Sequence, residues 1–406
     1  MRGLTAAVHE VLDRRLLSAS LAPIALALSG GGDSLALALI AADWARAHGR
    51  RLLILTVDHR LRPESAAWTQ ACAATADRLG ADFQALAWEG DKPATGLPAA
   101  ARAARHRLIA DAARTASAKV VLMGHTASDR LEAAAMRQAG ATTPSPREWA
   151  PSPAWPEGRG VFLLRPMLAQ TRAELRVWLA AHGETWIEDP ANEDSRFARA
   201  RARAGLTGIE TDDIAMAPDL ADLAGAVTDL AGGLGLPRER LREASQAFLA
   251  AACLCAAGTS RPPRGARLER LAEALRGDAD LTATLAGARI EADGDQGRFL
   301  REAGEARRGG LAALTLAAGE TDVWDGRLEI TAARPLTIRA LTGHAAGLSR
   351  LQRAALQRLP AGARGALPFI DGEGSPLLAA IPGVSARPLA LDRLRAVCGV
   401  MQMEPA

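Results

Sequence analysis

The chain has 406 residues, 49% apolar and 23% charged, with a formal net charge of +3. That balance fits a soluble globular protein of two or three domains and excludes a mainly disordered or fibrous one. Every basic residue except Lys92 and Lys119 is Arg. Base composition alone can produce that bias, so the placing of charge matters more than its amount.

The first 190 or so residues alternate strand and helix patterns. Ile24 to Ser29 is an apolar run that stops at glycines. Ser34 to His48 places Leu35, Leu39, Ala42 and Ala45 at helical spacing. Leu52 to Val57 reads as a buried strand, and Ser65 to Leu79 as a helix with Ser65 as its N-cap. Phe83 to Ala87, Val120 to Met123 and Val161 to Leu164 are further strands. Leu97 to Ser117, Ser128 to Ala139 and Thr171 to His182 are the helices between and after them. Apolar strands separated by amphipathic helices imply a doubly wound parallel sheet covered on both faces, of Rossmann-like type.

Thr142 to Gly160, rich in Pro and Trp, reads as an irregular loop. The segment 208–230 has acids and no Lys or Arg, directly after the Arg-rich stretch Arg196 to Arg203. That shift marks a domain boundary. Arg238 to Leu275 looks helical. From about Gly309 short strands and turns take over, with Asp325-Gly326 as a turn between apolar residues. The expected division is 1–205, a sheet domain; 206–308, mainly helical; and 309–406, smaller and β-rich. In 331–406 arginines outnumber acids, which suits a nucleic-acid grip or only the general Arg bias.

The four cysteines, Cys72, Cys253, Cys255 and Cys398, have neither zinc spacing nor a disulfide pattern. Glu10 and Asp13 precede any apolar run, so no secretory signal is expected, and no run of about 20 apolar residues suggests a membrane span. A cytoplasmic protein is expected.

The strongest chemical signal is Ser29-Gly30-Gly31-Gly32-Asp33-Ser34, between the first strand and its helix. Glycines let the backbone approach a ligand, and the helix start offers N–H groups and a positive dipole end to a phosphate. Ser29 and Ser34 add hydroxyl donors. Asp33 repels a bare phosphate, so it implies a Mg²⁺ between carboxylate and phosphates. Asp129 and Glu132, three apart on a helix, share a face. They read as a cation-binding pair, or as a solvated face or salt bridges to Arg130 or Arg137. Arg102 and Arg105, one helical turn apart, suit phosphates or a solvated face. Arg199, Arg201 and Arg203 suit an RNA backbone or a solvated linker. His125, after a strand end, is read as structural.

SGGGDS resembles the pyrophosphate loop of the ATP pyrophosphatase superfamily. Further blocks resemble one family within it, the tRNA(Ile)-lysidine synthases: VDHRLRPES at 57–65, ARAARH at 101–106 and Gly124-His125 with Asp129 and Glu132. RPML at 165–168 with Arg172 and Leu175, WIEDPAN at 186–192 and Arg199 to Arg203 complete the set. They occur in family order over about residues 24 to 203. Ser128, Ala133, His106 and Ala200 depart from the usual Asp, Thr, Tyr and Asn.

The resemblance implies ATP and Mg²⁺ as requirements, with Ser29 to Ser34 as the ATP loop and Asp33 on the metal. It implies Asp129 and Glu132 on the amine of free L-lysine, and Arg102, Arg105, Arg199, Arg201 and Arg203 on phosphate or tRNA. The implied reaction adenylates the wobble cytidine of the CAU-anticodon isoleucine tRNA. Lysine then displaces AMP. Asp33, Asp129 and Glu132 are the expected catalytic residues, with neither a membrane nor a stable protein partner expected.

Overall fold

A computed structural model describes residues 3–140, 145–188, 220–229 and 232–406. The chain divides into two compact units, one of residues up to 215 together with 401–406, the other of 216–400.

The first unit is built on a six-stranded sheet. Its strands are β1 (Ile24–Ala27), β2 (Leu52–Asp58), β3 (Asp82–Ala87), β4 (Val120–Met123), β5 (Trp149–Pro151) and β6 (Phe162–Leu164), in the order β3-β2-β1-β4-β6-β5. All pairs are parallel except β5 with β6. β1 and β4 are apolar along their whole length because both faces are covered. On one face helix α4 (Leu97–Thr115) packs Ile109, Ala112 and Ala113 against Ala25, Leu53, Leu55, Val121 and Met123. The pleat turns Ile24, Leu26, Ile54 and Leu122 the other way, and these too are buried.

The crossover through α2 (Gly32–Ala47) runs from β1 to β2, and the one through α4 runs back from β3 to β4. Right-handed crossovers in opposite directions put the two helices on opposite faces. The reversal lies between neighbours β1 and β4, so the loops that follow them diverge and leave a crevice at their carboxyl ends. In sheets of this kind that crevice is where ligands bind.

Helices α3 (Ser65–Leu79), α5 (Ala127–Gln138) and α6 (Arg172–Ala181) fall where the periodicity puts them, within a residue or two. Three details differ. An N-terminal helix α1 (Leu4–Arg15) precedes the sheet and buries Val8 and Leu12. Ser65 is not a cap: it lies in the first turn of α3 and its hydroxyl donates to the Arg62 carbonyl, 2.9 Å. The Pro/Trp segment is not wholly irregular, since it supplies edge strand β5, whose Trp149 stacks on Phe162 at 5.0 Å.

The last six residues are sewn into this unit. Glu404 and Arg50 form an ion pair at 2.9 Å with both side chains 1% exposed. Arg50 also donates to the carbonyls of Leu17 and Ala22, and the Leu17 N–H donates to Glu404 at 2.9 Å. The Trp149 indole donates to the Met401 carbonyl, 2.8 Å.

The second unit holds the helices expected within 238–275, at Arg238–Glu243, Gln246–Ala257 and Ala266–Arg276. The segment expected to be mainly helical also carries a five-stranded antiparallel sheet, with strands from Val227–Thr228 to Gln296–Arg301. Gln246–Ala257 is apolar all round and lies at the centre of this core, beside Leu236, Ile290 and Phe299. Residues 314–388 form two three-stranded sheets over a separate core of Trp324, Ile330, Ile338 and Phe369. The Asp325-Gly326 turn joins Thr321–Trp324 to Leu328–Ala332, and both turn residues are left-handed. Asp325 is buried between Arg301 (2.9 Å) and Arg327 (2.7 Å). Among the described residues no helix is long and apolar enough to cross a membrane.

Candidate active site

The glycine loop follows β1 into the crevice. Gly30 has φ +82°, and a Cβ there would lie 2.4 Å from the Ile187 side chain, so only glycine fits. Gly31 is the extended N-cap of α2, and no side chain caps that helix. The first N–H groups of a helix have no intrahelical partner, so this end faces the crevice as an anion seat. Ser34 is bonded into its own loop. Its buried hydroxyl donates to the Gly31 carbonyl (2.9 Å) and accepts from the Ser29 N–H (3.2 Å), which holds the loop closed. Ser29 is exposed.

The loop after β4 comes up against the same helix. A Cβ on Gly124 would meet the Ser34 backbone N and Cα at 3.0 Å. Glycine is therefore what lets the two loops touch backbone to backbone. Helix α5 then starts at Ala127, and Asp129 closes its first turn: one carboxylate oxygen accepts from the Thr126 N–H (2.8 Å) and hydroxyl (3.0 Å). Glu132, one turn on, is fully buried.

Arg172, the first residue of α6, joins the two loops. Its Nε donates to Asp33 Oδ2 at 3.0 Å and its Nη1 to Glu132 Oε1 at 3.1 Å, while Nη2 lies 3.8 Å from Asp129 Oδ1. Its backbone N–H donates to the Ser128 hydroxyl, 3.2 Å. The departure at Ser128 thus anchors this arginine. Burial raises the Asp33 carboxyl above the usual aspartate range, with Arg172 pulling the other way. Burial works against the Arg172 charge, but Asp33, Glu132 and Asp129 outweigh it and hold the guanidinium protonated. The three acids that motif reading divides between a metal and an amine share one guanidinium.

A cationic wall stands beside this acid bay. His106 on α4 is buried, and its pKa is lowered to about 2, by burial first and then by Arg105, Arg102, Arg165 and His125. The imidazole that replaces the usual Tyr is therefore neutral. Arg165 is 7% exposed and pushed down to about 10 by burial, with Arg102 and Arg147 adding to it and Asp129 opposing. His59 is lowered by burial, then by Arg105. Arg102 and Arg105 are thus within electrostatic reach of His106, Arg102 also of Arg165, and Arg105 of His59. Arg199, Arg201 and Arg203 lie outside the described residues.

Arg172 and Arg165 are the site residues that motif reading quotes without giving a role. Arg172 carries a signal of its own. A cation at the first position of a helix sits against the positive dipole end, which is unfavourable unless acids are aimed at it.

A PP-loop domain model matches residues 5–209. A tRNA(Ile)-lysidine synthase from Caulobacter vibrioides is 49% identical over 98% of this chain and 98% of its own length. Proteins of the same name from Hyphomonas neptunium and Rhodopseudomonas palustris are 36% and 37% identical, over 66% and 67% of this chain and 79% and 88% of their own. With its glycine loop at the β1–β4 crevice and a relative matched almost end to end, the chain belongs to the tRNA(Ile)-lysidine synthase family of PP-loop proteins.

Proposed function

We propose that the chain is a ligase that joins free L-lysine to C2 of the wobble cytidine in the CAU-anticodon isoleucine tRNA. The cytidine O2 attacks the α-phosphorus of ATP and pyrophosphate leaves. The lysine Nζ then attacks C2, AMP leaves, and one amine proton passes to a carboxylate. The observation that carries this reading is the convergence of Asp33, Asp129 and Glu132 beside the open N-terminus of α2. A phosphate seat and a cation seat then adjoin, as a reaction between a nucleotide and an amine requires. Incorporation of labelled lysine into isoleucine tRNA transcripts, with ATP, tests it directly.

Asp33 suits Mg²⁺. Among the described residues no group of three or more His, Cys, Asp or Glu is placed to hold a metal, but Mg²⁺ is typically bound through one or two carboxylates, substrate phosphates and water. Asp33 beside the phosphate seat offers that, and the ion would neutralise charge on the phosphates. A sulfur-transferring relative is the poorer fit. All four cysteines are buried, with burial pushing Cys253 to about 12 and Cys255 to about 11. We retain the division into a catalytic domain (1–205), a central one (206–308) and a tRNA-gripping one (309–406), acting in the cytoplasm with no stable protein partner. The residues 401–406 serve the first.

Asp129 and Glu132 are assigned to the lysine amine. Asp129→Asn keeps an acceptor for the Thr126 cap and removes the charge, so lysine binding weakens by about 1–3 kcal/mol. The variant should still make adenylated tRNA when lysine is left out, which mass spectrometry detects. Lost adenylation with unchanged lysine dependence would move Asp129 to the nucleotide.

Arg102, Arg105, Arg199, Arg201, Arg203 and the C-terminal arginines are assigned to phosphates. Six such contacts would drop tRNA affinity about a thousandfold between 50 and 200 mM salt. A filter-binding series over that range checks it, and a flat series would remove these arginines from the interface.

A further inference from the structure

Resting on the function proposed above, we infer that Arg172 sets the specificity of the acid bay: its guanidinium occupies the ammonium seat, and the substrate amine enters by exchange with it. The contacts define the seat. Glu132 and Asp129 of α5, the acids assigned to the amine, meet on this one side chain, and Asp33 of α2 reaches it from the metal side. Glu132 is 0% exposed, and a carboxylate so buried needs a countercharge when no substrate is present. Arg172 supplies it.

The same geometry says which partner moves. Asp129 is pinned to Thr126, and Glu132 has no exposed surface. The Arg172 side chain is 21% exposed and the longest of the four, so it has a path to solvent. Its backbone stays fixed by Ser128. Exchange is then a rotation of one side chain, with no helix displaced.

Exchange makes the seat selective in two ways. A neutral molecule cannot replace the charge that Arg172 brings to Glu132. A cation without N–H donors cannot replace the hydrogen bonds. A primary ammonium on a flexible four-carbon stem meets both conditions, and its head is more compact than a guanidinium. If Arg172 holds the seat nine-tenths of the time, emptying it tightens apparent ammonium affinity about tenfold.

The test uses the full chain without ATP or tRNA. Calorimetric titration with lysine and with n-butylammonium compares wild type with Arg172→Ala and Arg172→Gln. We expect both variants to bind both ligands about tenfold more tightly than wild type. Added guanidinium should compete with lysine in Arg172→Ala, and tetramethylammonium should not. Arg172→Gln keeps amide donors near Glu132, so it preserves the measurement if the alanine variant fails to fold. Equal or weaker lysine binding by the folded variants would overturn the inference. Failure of the proposed function is separate: wild type would put no lysine into isoleucine tRNA, whatever the variants bind.

Discussion

Asp33→Asn should leave the fold standing and stop pyrophosphate release. The residue lies in the first turn of α2, partly exposed, and no core cluster depends on it. Asparagine keeps the shape, yet it lacks the charge by which Asp33 is proposed to hold Mg²⁺ beside the phosphates. Removing one preorganised group that stabilises transition-state charge typically costs about 10²–10³ in rate, and a metal ligand belongs at the upper end. Pyrophosphate release with saturating tRNA and ATP is the measurement, with circular dichroism as the check on folding. A rate within tenfold of wild type would remove Asp33 from the metal. Release of ADP and orthophosphate by the wild type would overturn adenylation itself.

Glu404→Ala should unfold the first unit far more easily than its place near the chain end suggests. The alanine leaves Arg50 charged and buried, with only carbonyls for partners, and strands the Leu17 N–H. Removing one member of a buried pair costs about 3–5 kcal/mol. Most of that is the penalty of an uncompensated charge, so changing both residues to Met should recover much of the loss. Urea denaturation of wild type, single and double variants measures it. A single variant as stable as wild type would show that the pair contributes nothing.

Much of the sheet was legible because burial on both faces writes itself as apolar runs, such as Leu52 to Val57, that end at glycines. The central sheet was harder to see. Strands such as Ala288–Ala292 are short, and although they alternate buried with half-buried residues, two of the three buried positions there are alanines, a weak strand signal. The acids of the site were legible through their motifs. The role of Arg172 was not, since it rests on contacts to residues 139 and 40 positions away. The Ser34 hydroxyl has a second part that its motif does not announce. A serine in a phosphate-type loop reads as a ligand donor, and here its hydroxyl also closes the loop on Gly31 and Ser29. Nothing around Glu404 in Met-Glu-Pro-Ala signals a buried acid, because its partner Arg50 is set by tertiary packing.

The return of residues 401–406 to the first unit makes the region 216–400 an insertion in connectivity, attached at both ends and not appended at one. A stop codon placed to remove that region therefore also removes a piece of the catalytic core. An excision is the cleaner operation: the chain before 216 is rejoined through a short flexible linker to Met401, and the sewn tail is kept. The same topology brings Arg15 of α1 against Gln402, so the first helix and the last residues are neighbours. Arg15 is the last residue of α1, so a peptide bridge from the final residues back to Leu4 would have to run the length of that helix, about 17 Å.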